Sequence, residues 1–285
     1  MEKIKKKILV IGSSGMMGHI LVDFLSKKKS NFEVFNLARN LKINDDTIIC
    51  DILDINLLER LINDILPDII INTAGILVKD SKSNPLNAIL VNACFPHNLL
   101  KIADKINSKI IHMSTDCVFD GSTGLYNEDS AKSPTDIYGK TKDLGEILGK
   151  NHLTIRTSII GPELKQNGTG LFLWLLKNRD QKIDGYTKSI WSGLTTLELS
   201  KAILCCIEAD LKGLIHIASD PISKYNLIDI INNEFKLNIE INKVEGLVSD
   251  KSLVTVRNDF LYKVKPHQEM VNDLKTYIEL SNFKY

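Results

Sequence analysis

The chain has 285 residues, a formal net charge of +1 and a hydrophobic content of 44%. That length allows one large domain or two modest ones with a full core, and the near-zero charge argues against bulk attraction to nucleic acid or an anionic membrane. The five cysteines, Cys50, Cys94, Cys117, Cys205 and Cys206, are odd in number and show no C-x-x-C spacing, which argues against a disulfide framework or a zinc site and points to a reducing cytoplasm.

The apolar run Ile8–Ile11 follows a basic start. It is too short for a signal-peptide core, ends at Gly12 and reads as a first strand. No run approaches membrane-spanning length. Strands are expected at Lys7–Ile11, Glu33–Leu37, Thr47–Cys50, Asp68–Asn72, Lys109–Met113 and Leu153–Arg156. Helical patterns alternate with them at Met16–Lys28, Asn56–Leu66, Pro85–Ile106 and Thr135–Gly149. Such alternation predicts an α/β fold, a Rossmann-type doubly wound parallel sheet covered by helices. Beyond Gly161 the alternation weakens. Asn167–Gly170 reads as a loop, Thr195–Ala209 as a helix, Leu214–Ile217 as a strand, and Tyr225–Phe235 and Gln268–Leu280 as late helices. The expected organisation is a dinucleotide-binding domain over 1–160 and a smaller C-terminal substrate-binding region over 161–285, interleaved with the end of the sheet.

Gly12, Gly15 and Gly18 lie between the first strand and the first helix. There glycines permit a tight turn, close approach of backbone to a pyrophosphate and close helix–strand packing. The helix N-terminus, with Met16 and Met17, then faces the phosphates with free N–H groups. Arg39 follows the second strand, where the ribose edge is read. A guanidinium there suits a 2′-phosphate, so NADPH is the expected cofactor and NADH the second candidate. Asp51 and Ile52 are placed to frame the adenine, and Asn72, Ala74 and Gly75 to give a small-residue surface for the cofactor.

Tyr138 and Lys142 are four residues apart and share a helix face. The ammonium is expected to lower the phenol pKa and fit it for proton transfer near neutral pH. Thr115, with Ser114, ends the fifth strand and so borders the ligand crevice. Thr115, Tyr138 and Lys142 are the expected catalytic set, with Lys142 also on the cofactor ribose. Ser114, Asp116, Cys117 and Trp191 are candidate substrate contacts; Trp191 has the ring for stacking on a sugar or base. His112 and His216 fall inside apolar strands and read as core residues, as do Cys205 and Cys206.

Several segments resemble the extended short-chain dehydrogenase/reductases, and among them dTDP-4-dehydrorhamnose reductase and its relatives. They are Ser114-Thr-Asp-Cys-Val-Phe-Asp-Gly121, Tyr126-Asn-Glu-Asp129, Ser133-Pro134, Tyr138-Gly-Lys-Thr-Lys142, Ile155-Arg-Thr-Ser158 and Ile222-Ser-Lys-Tyr225. The resemblance implies an NADPH-dependent reductase of a nucleotide-linked 4-keto-6-deoxyhexose, dTDP- or UDP-linked, with Thr115, Tyr138 and Lys142 at work. Cys117 stands where the family usually has Tyr, and Gly193-Leu-Thr-Thr196 replaces its Ala-Pro-Thr loop. Some family members bind magnesium through an acidic residue just after the third glycine. His19 and Ile20 stand there in this chain, so no metal is expected. Ile159–Glu163, Asn167–Gly170 and Tyr186–Trp191 are more similar to a branch acting on UDP-linked, N-acetylated 6-deoxyhexoses. Two alternatives follow from the same resemblance. One adds 3-epimerisation or 4-epimerisation, with Cys117 or His19 as a further acid/base. The other is a non-catalytic, NADP-binding regulatory subunit. The partners implied are a nucleotide sugar, with no nucleic acid and no membrane; a homodimer is compatible with this reading.

Overall fold

The computed structural model describes residues 5–28, 31–149, 151–283 and Tyr285. The chain forms two compact units. The first comprises the chain up to Val118, then Pro134–Arg156 and Asp210–Ile215; the second comprises Phe119–Ser133, Thr157–Ala209 and His216–Tyr285.

The first unit opens with β1 (Lys6–Ile11), α1 (Met16–Ser26), β2 (Phe32–Ala38), β3 (Thr47–Ile49), α2 (Ile55–Ile65) and β4 (Ile69–Asn72). It continues with α3 (Val78–Ser83), α4 (Pro85–Ala88), a π-helical stretch over Ile89–Cys94, α5 (Phe95–Lys105), β5 (Lys109–Met113), α6 (Ile137–Leu144) and β6 (Leu153–Arg156). With the strand Gly213–His216 these form a seven-stranded sheet in the order Gly213–His216, β6, β5, β4, β1, β2, β3. From β6 to β3 every neighbouring pair is parallel. Strand order therefore reverses between β1 and β4, and in doubly wound sheets the ligand crevice lies outside the carboxyl ends at that reversal. Ile8–Ile11 and Ile69–Asn72 are unbroken buried runs, as central strands covered on both faces require. One core joins Leu9, Ile11 and Ile70 of the sheet to Leu58 and Ile62 of α2 and to Phe95, Leu99 and Ile102 of α5. Each such burial contributes roughly 1.5–3 kcal/mol.

Two sequence-based helices are corrected. The expected single helix over Pro85–Ile106 is broken by the π-helical stretch, and Phe95 N–H bonds back to Leu90 O. Pro96 has no N–H to give the Asn92 carbonyl, so the helical ladder fails there. The expected helix over Thr135–Gly149 ends at Leu144. A Cβ on Gly145 would lie 1.9 Å from Asn92 O, so the chain there runs against that unladdered carbonyl and leaves the helix.

The second unit carries α7 (Leu171–Lys177), α8 (Thr196–Glu208), α9 (Lys224–Phe235) and α10 (His267–Leu280). Thr195 and Ser223 cap α8 and α9 through their side chains. Lys182–Tyr186 pairs in parallel with Glu240–Val244, a pairing that weak alternation hid from the sequence reading. The core holds Phe172, Leu175, Trp191, Leu227, Ile231 and Val271. Two carboxylates pin the irregular stretch after Leu253. Glu128 accepts from His216 N–H, the Thr255 hydroxyl and Val256 N–H, and Glu198 accepts from Tyr262 and Lys265 N–H. Among the described residues no helix is long and apolar enough to cross a membrane.

Candidate active site

Gly12 has φ +87°, a conformation L side chains rarely adopt, and a Cβ there would lie 2.7 Å from Ala74 N. A Cβ on Gly18 would lie 2.3 Å from Gly12 O. The turn thus wraps against both α1 and the end of β4. Gly15 is the N-cap residue of α1 and makes no side-chain cap, and the first turn of α1 holds no acid. His19 is fully buried and its Nδ1–H donates to Gly15 O at 2.7 Å. Burial holds this imidazole down at about 4, against the opposing effects of that hydrogen bond and of Asp23. It is a neutral brace for the turn. The hydroxyl of buried Ser13 has no hydrogen-bond partner among the described residues. An uncapped helix N-terminus, an unpartnered hydroxyl and a cradle that any Cβ would fill suit a pyrophosphate-bearing cofactor.

Gly12 N–H and Ser13 N–H both donate to Leu37 O, at 2.9 and 3.0 Å. This brings the end of β2 beside the glycine turn, and exposed Arg39 follows directly after β2. Cys50 N–H donates to Ala38 O, so Asp51 and Ile52 begin next to the same strand end. Asp51 is exposed and accepts from Leu53 N–H. Asn72 turns inward instead of presenting its side chain. Its Oδ1 accepts from Ala74 N–H and its Nδ2 donates to His112 Nδ1, which fixes the loop carrying Ala74 and Gly75. His112 is fully buried and is held well below the ordinary imidazole range by burial, with Lys142 and His97 adding to the effect.

Thr115, Tyr138 and Lys142 converge beyond the end of β5. Asp136 caps α6 by accepting from Gly139 N–H at 2.7 Å. A Cβ on Gly139 would lie 2.2 Å from Cys117 O, so glycine is what lets α6 meet the Asp116–Val118 turn. Thr115 donates to Asp116 Oδ1 at 3.0 Å and accepts from Cys117 N–H, and it also hydrogen-bonds Tyr138. Lys142 is buried and its Nζ donates to Met113 O at 2.5 Å. The expected lowering of the Tyr138 pKa is corrected. Burial, chiefly, together with Cys117, Asp116 and Asp136, holds the phenol above its ordinary value, against the Thr115 hydrogen bond. Burial also brings Lys142 down to about 8, against the opposing pull of Glu146. At neutral pH Tyr138 therefore carries its proton and Lys142 titrates nearby.

Of the proposed substrate contacts, Cys117 is half-buried and bears electrostatically on the Tyr138 phenol, and Asp116 is buried beneath Thr115. Ser114 donates to Glu146 Oε1 at 2.8 Å inside the protein. Trp191 belongs to the second unit's core: it is 4% exposed, its Nε1–H donates to Ser158 Oγ, and Lys224 covers its ring at 5.5 Å. Its face is not open for stacking on a sugar, which corrects that expectation. Sequence reasoning assigned no role to Asn92, Glu146 or Arg156. Asn92 bonds both Ile76 and Thr141 and so ties the loop after Gly75 to α6. The available signal for Glu146 was its place one helical turn beyond Lys142. Among the described residues no group of three or more His, Cys, Asp or Glu is placed to hold a metal ion.

A doubly wound sheet with a glycine cradle and a Thr–Tyr–Lys set at its carboxyl edge is that of a dinucleotide-binding oxidoreductase class. The RmlD substrate binding domain family model matches residues 6–253, and the chain belongs to that family. It is 29% identical to dTDP-4-dehydrorhamnose reductase of Aggregatibacter actinomycetemcomitans, over 80% of this chain and 79% of the relative. It is 30% identical to a hypothetical dTDP-4-dehydrorhamnose reductase of Sulfolobus tokodaii, whose crystal structure it matches with a TM-score of 0.77 over 87% of this chain and 91% of the other. The fold is also that of dTDP-4-dehydrorhamnose reductase from Bacillus anthracis in complex with NADP, with a TM-score of 0.82 at 21% identity over 97% and 100% of the two chains.

Proposed function

We propose that the protein is an NADPH-dependent reductase of a nucleotide-linked 4-keto-6-deoxyhexose, serving deoxysugar and polysaccharide biosynthesis. The observation that carries this reading is the convergence of Thr115, Tyr138 and Lys142 in the same unit as the glycine cradle. The names of its relatives supply the substrate class. The cofactor would be held by the Gly12–Gly18 turn with the Met16 and Met17 N–H groups, by Arg39 at the ribose, by Asp51 and Ile52 at the adenine, and by Asn72, Ala74 and Gly75. The cofactor supplies the hydride.

The chain's own residues handle the proton. Tyr138, protonated at neutral pH, donates to the oxygen that was the carbonyl. Thr115 orients that carbonyl by hydrogen bonding. Lys142 binds the ribose hydroxyls and eases proton loss from the phenol. Asp116 and Cys117 border the sugar, while Ser114, whose hydroxyl is held by Glu146 inside the protein, supports the strand end behind them. Tyr138 thus rests with the proton that reduction consumes. The test uses NADPH deuterated at its transferable position with dTDP- and UDP-linked 4-keto-6-deoxyhexoses. The reading expects deuterium at sugar carbon 4. Cofactor oxidation that leaves the sugar unlabelled would remove the reading.

A further inference from the structure

The buried ion pair behind the site is not used by the steps above. Arg156 meets Glu146 with two parallel hydrogen bonds, Nε to Oε1 at 2.7 Å and Nη2 to Oε2 at 2.8 Å. Both side chains are almost wholly buried, at 3% and 1% exposure. Burying such a pair brings little net stability, because desolvation offsets the attraction. Its position relative to the reacting groups is more informative. Glu146 Oε1 also takes the Ser114 hydroxyl at 2.8 Å, while Ser114 N–H donates to Ile155 O at 2.7 Å. Lys142 holds Met113 O, the residue before. Two successive residues of the strand end, directly before Thr115, are thus tied down from one stretch of chain, Lys142 to Glu146.

We propose that the Glu146–Arg156 pair is a positioning device for the Thr115–Tyr138–Lys142 set: it fixes the strand end through Ser114 and presents Lys142 with its neighbouring negative charge. Among the described residues other groups do not supply that charge. His112, on β5, is kept neutral by burial. Tyr138, on the same helix, keeps its proton. Asp116 and Cys117 bear on Tyr138, as does Asp136. His97 of α5 bonds Leu144 O. Lys79, Asp80 and Lys82 of α3 and Lys140 of α6 are exposed, and Asp143, beside Lys142 on α6, is half-buried and is not among the causes acting on Lys142. Glu146, by contrast, acts to keep Lys142 charged against its burial.

This inference rests on the roles proposed for Thr115, Tyr138 and Lys142, and its test separates the two. Lysine carrying ¹³C at Cε allows the Lys142 midpoint to be read by NMR without any substrate, assigned by its loss in Lys142→Met. Glu146→Gln keeps an acceptor for Ser114 and removes the charge. Glu146→Gln/Arg156→Met removes both charges, so that no lone buried ion threatens the fold. In both variants the Lys142 midpoint should fall, by about one unit or more in Glu146→Gln, where an opposite charge is lost and Arg156 keeps its own, and by less in the double variant, where both charges go. The upper limb of the pH profile of kcat/KM should move to lower pH with it. A purely structural role would scale the profile without moving its limb. Unmoved midpoint and limb in a folded variant would overturn the proposal, as would failure of both variants to fold. A midpoint that shifts in the variants while the wild type reduces no keto sugar would instead contradict the proposed function.

Discussion

At the scale of single residues, the account stands on three side chains with separate tasks. Tyr138→Phe removes one hydroxyl and should lower turnover by about 10²-fold or more, the usual worth of a general acid, with thermal stability little changed; single-turnover kinetics read this. Lys142→Met should weaken both cofactor binding and turnover, because Lys142 is given both tasks; unchanged NADPH affinity by fluorescence titration would refute the ribose contact. Arg39 is exposed directly after β2, beside the glycine turn. A hydrogen bond from a charged group contributes roughly 1.5–3 kcal/mol, and tenfold corresponds to about 1.4 kcal/mol. NADPH should therefore be preferred over NADH by roughly ten- to a hundredfold, and Arg39→Ala should erase most of that preference while sparing use of NADH. Equal specificity constants in the wild type would show that Arg39 does not read the 2′-phosphate.

At the scale of elements, the parts easiest to read in the sequence were those decided by local apolar pattern. Ile8–Ile11 and Ile69–Ile71 are buried throughout and bounded by Gly12 and Asn72, so both strands and the cradle between strand and helix were legible. What was not legible depends on contacts distant in sequence. The π-helical stretch arises from Pro96 and the Asn92 carbonyl, and α6 stops early because Gly145 runs against that carbonyl. The reversed direction of the Tyr138 shift comes from burial and from Cys117, neither of which a Tyr-to-Lys spacing reveals. Glu146 acquires its meaning only when β6 brings Arg156 to it. Trp191 looked like a stacking platform because aromatic residues serve both cores and sites, and only its burial separates the two. The cradle itself can be tested. Gly18→Ala would place a methyl 2.3 Å from Gly12 O, against backbone. It should displace the turn and reduce cofactor affinity more than it reduces thermal stability, as paired calorimetric and binding measurements would show. Equal NADPH affinity in this variant would contradict the cradle's role.

At the scale of the whole molecule, two neutral buried histidines link stability to acid. Burial holds His19 at about 4, below its unfolded value of 6.5, and holds His112 well below the same value. A histidine with a depressed folded value binds more protons when unfolded, so stability falls as pH drops below 6.5. His19 alone should remove about 3 kcal/mol by pH 4, using 1.36 kcal/mol per unit. Urea titrations at pH 7 and pH 4.5 check the sign; equal stability at the two would refute neutral burial. Chelators should leave turnover intact, since the expected family acid after the third glycine is replaced by His19, whose Nδ1 is committed to Gly15 O; loss in EDTA restored by magnesium would overturn this. The central claim is that Tyr138 delivers the proton in reduction of a nucleotide-linked 4-keto sugar. Steady-state oxidation of NADPH against a panel of dTDP- and UDP-linked 4-keto-6-deoxyhexoses, run side by side for wild type and Tyr138→Phe, tests it most directly. The account predicts turnover of at least one member of the panel, reduced by about a hundredfold or more in the variant. A wild-type protein that binds NADPH but oxidises it with no member of the panel, or a variant that matches the wild type, would contradict it.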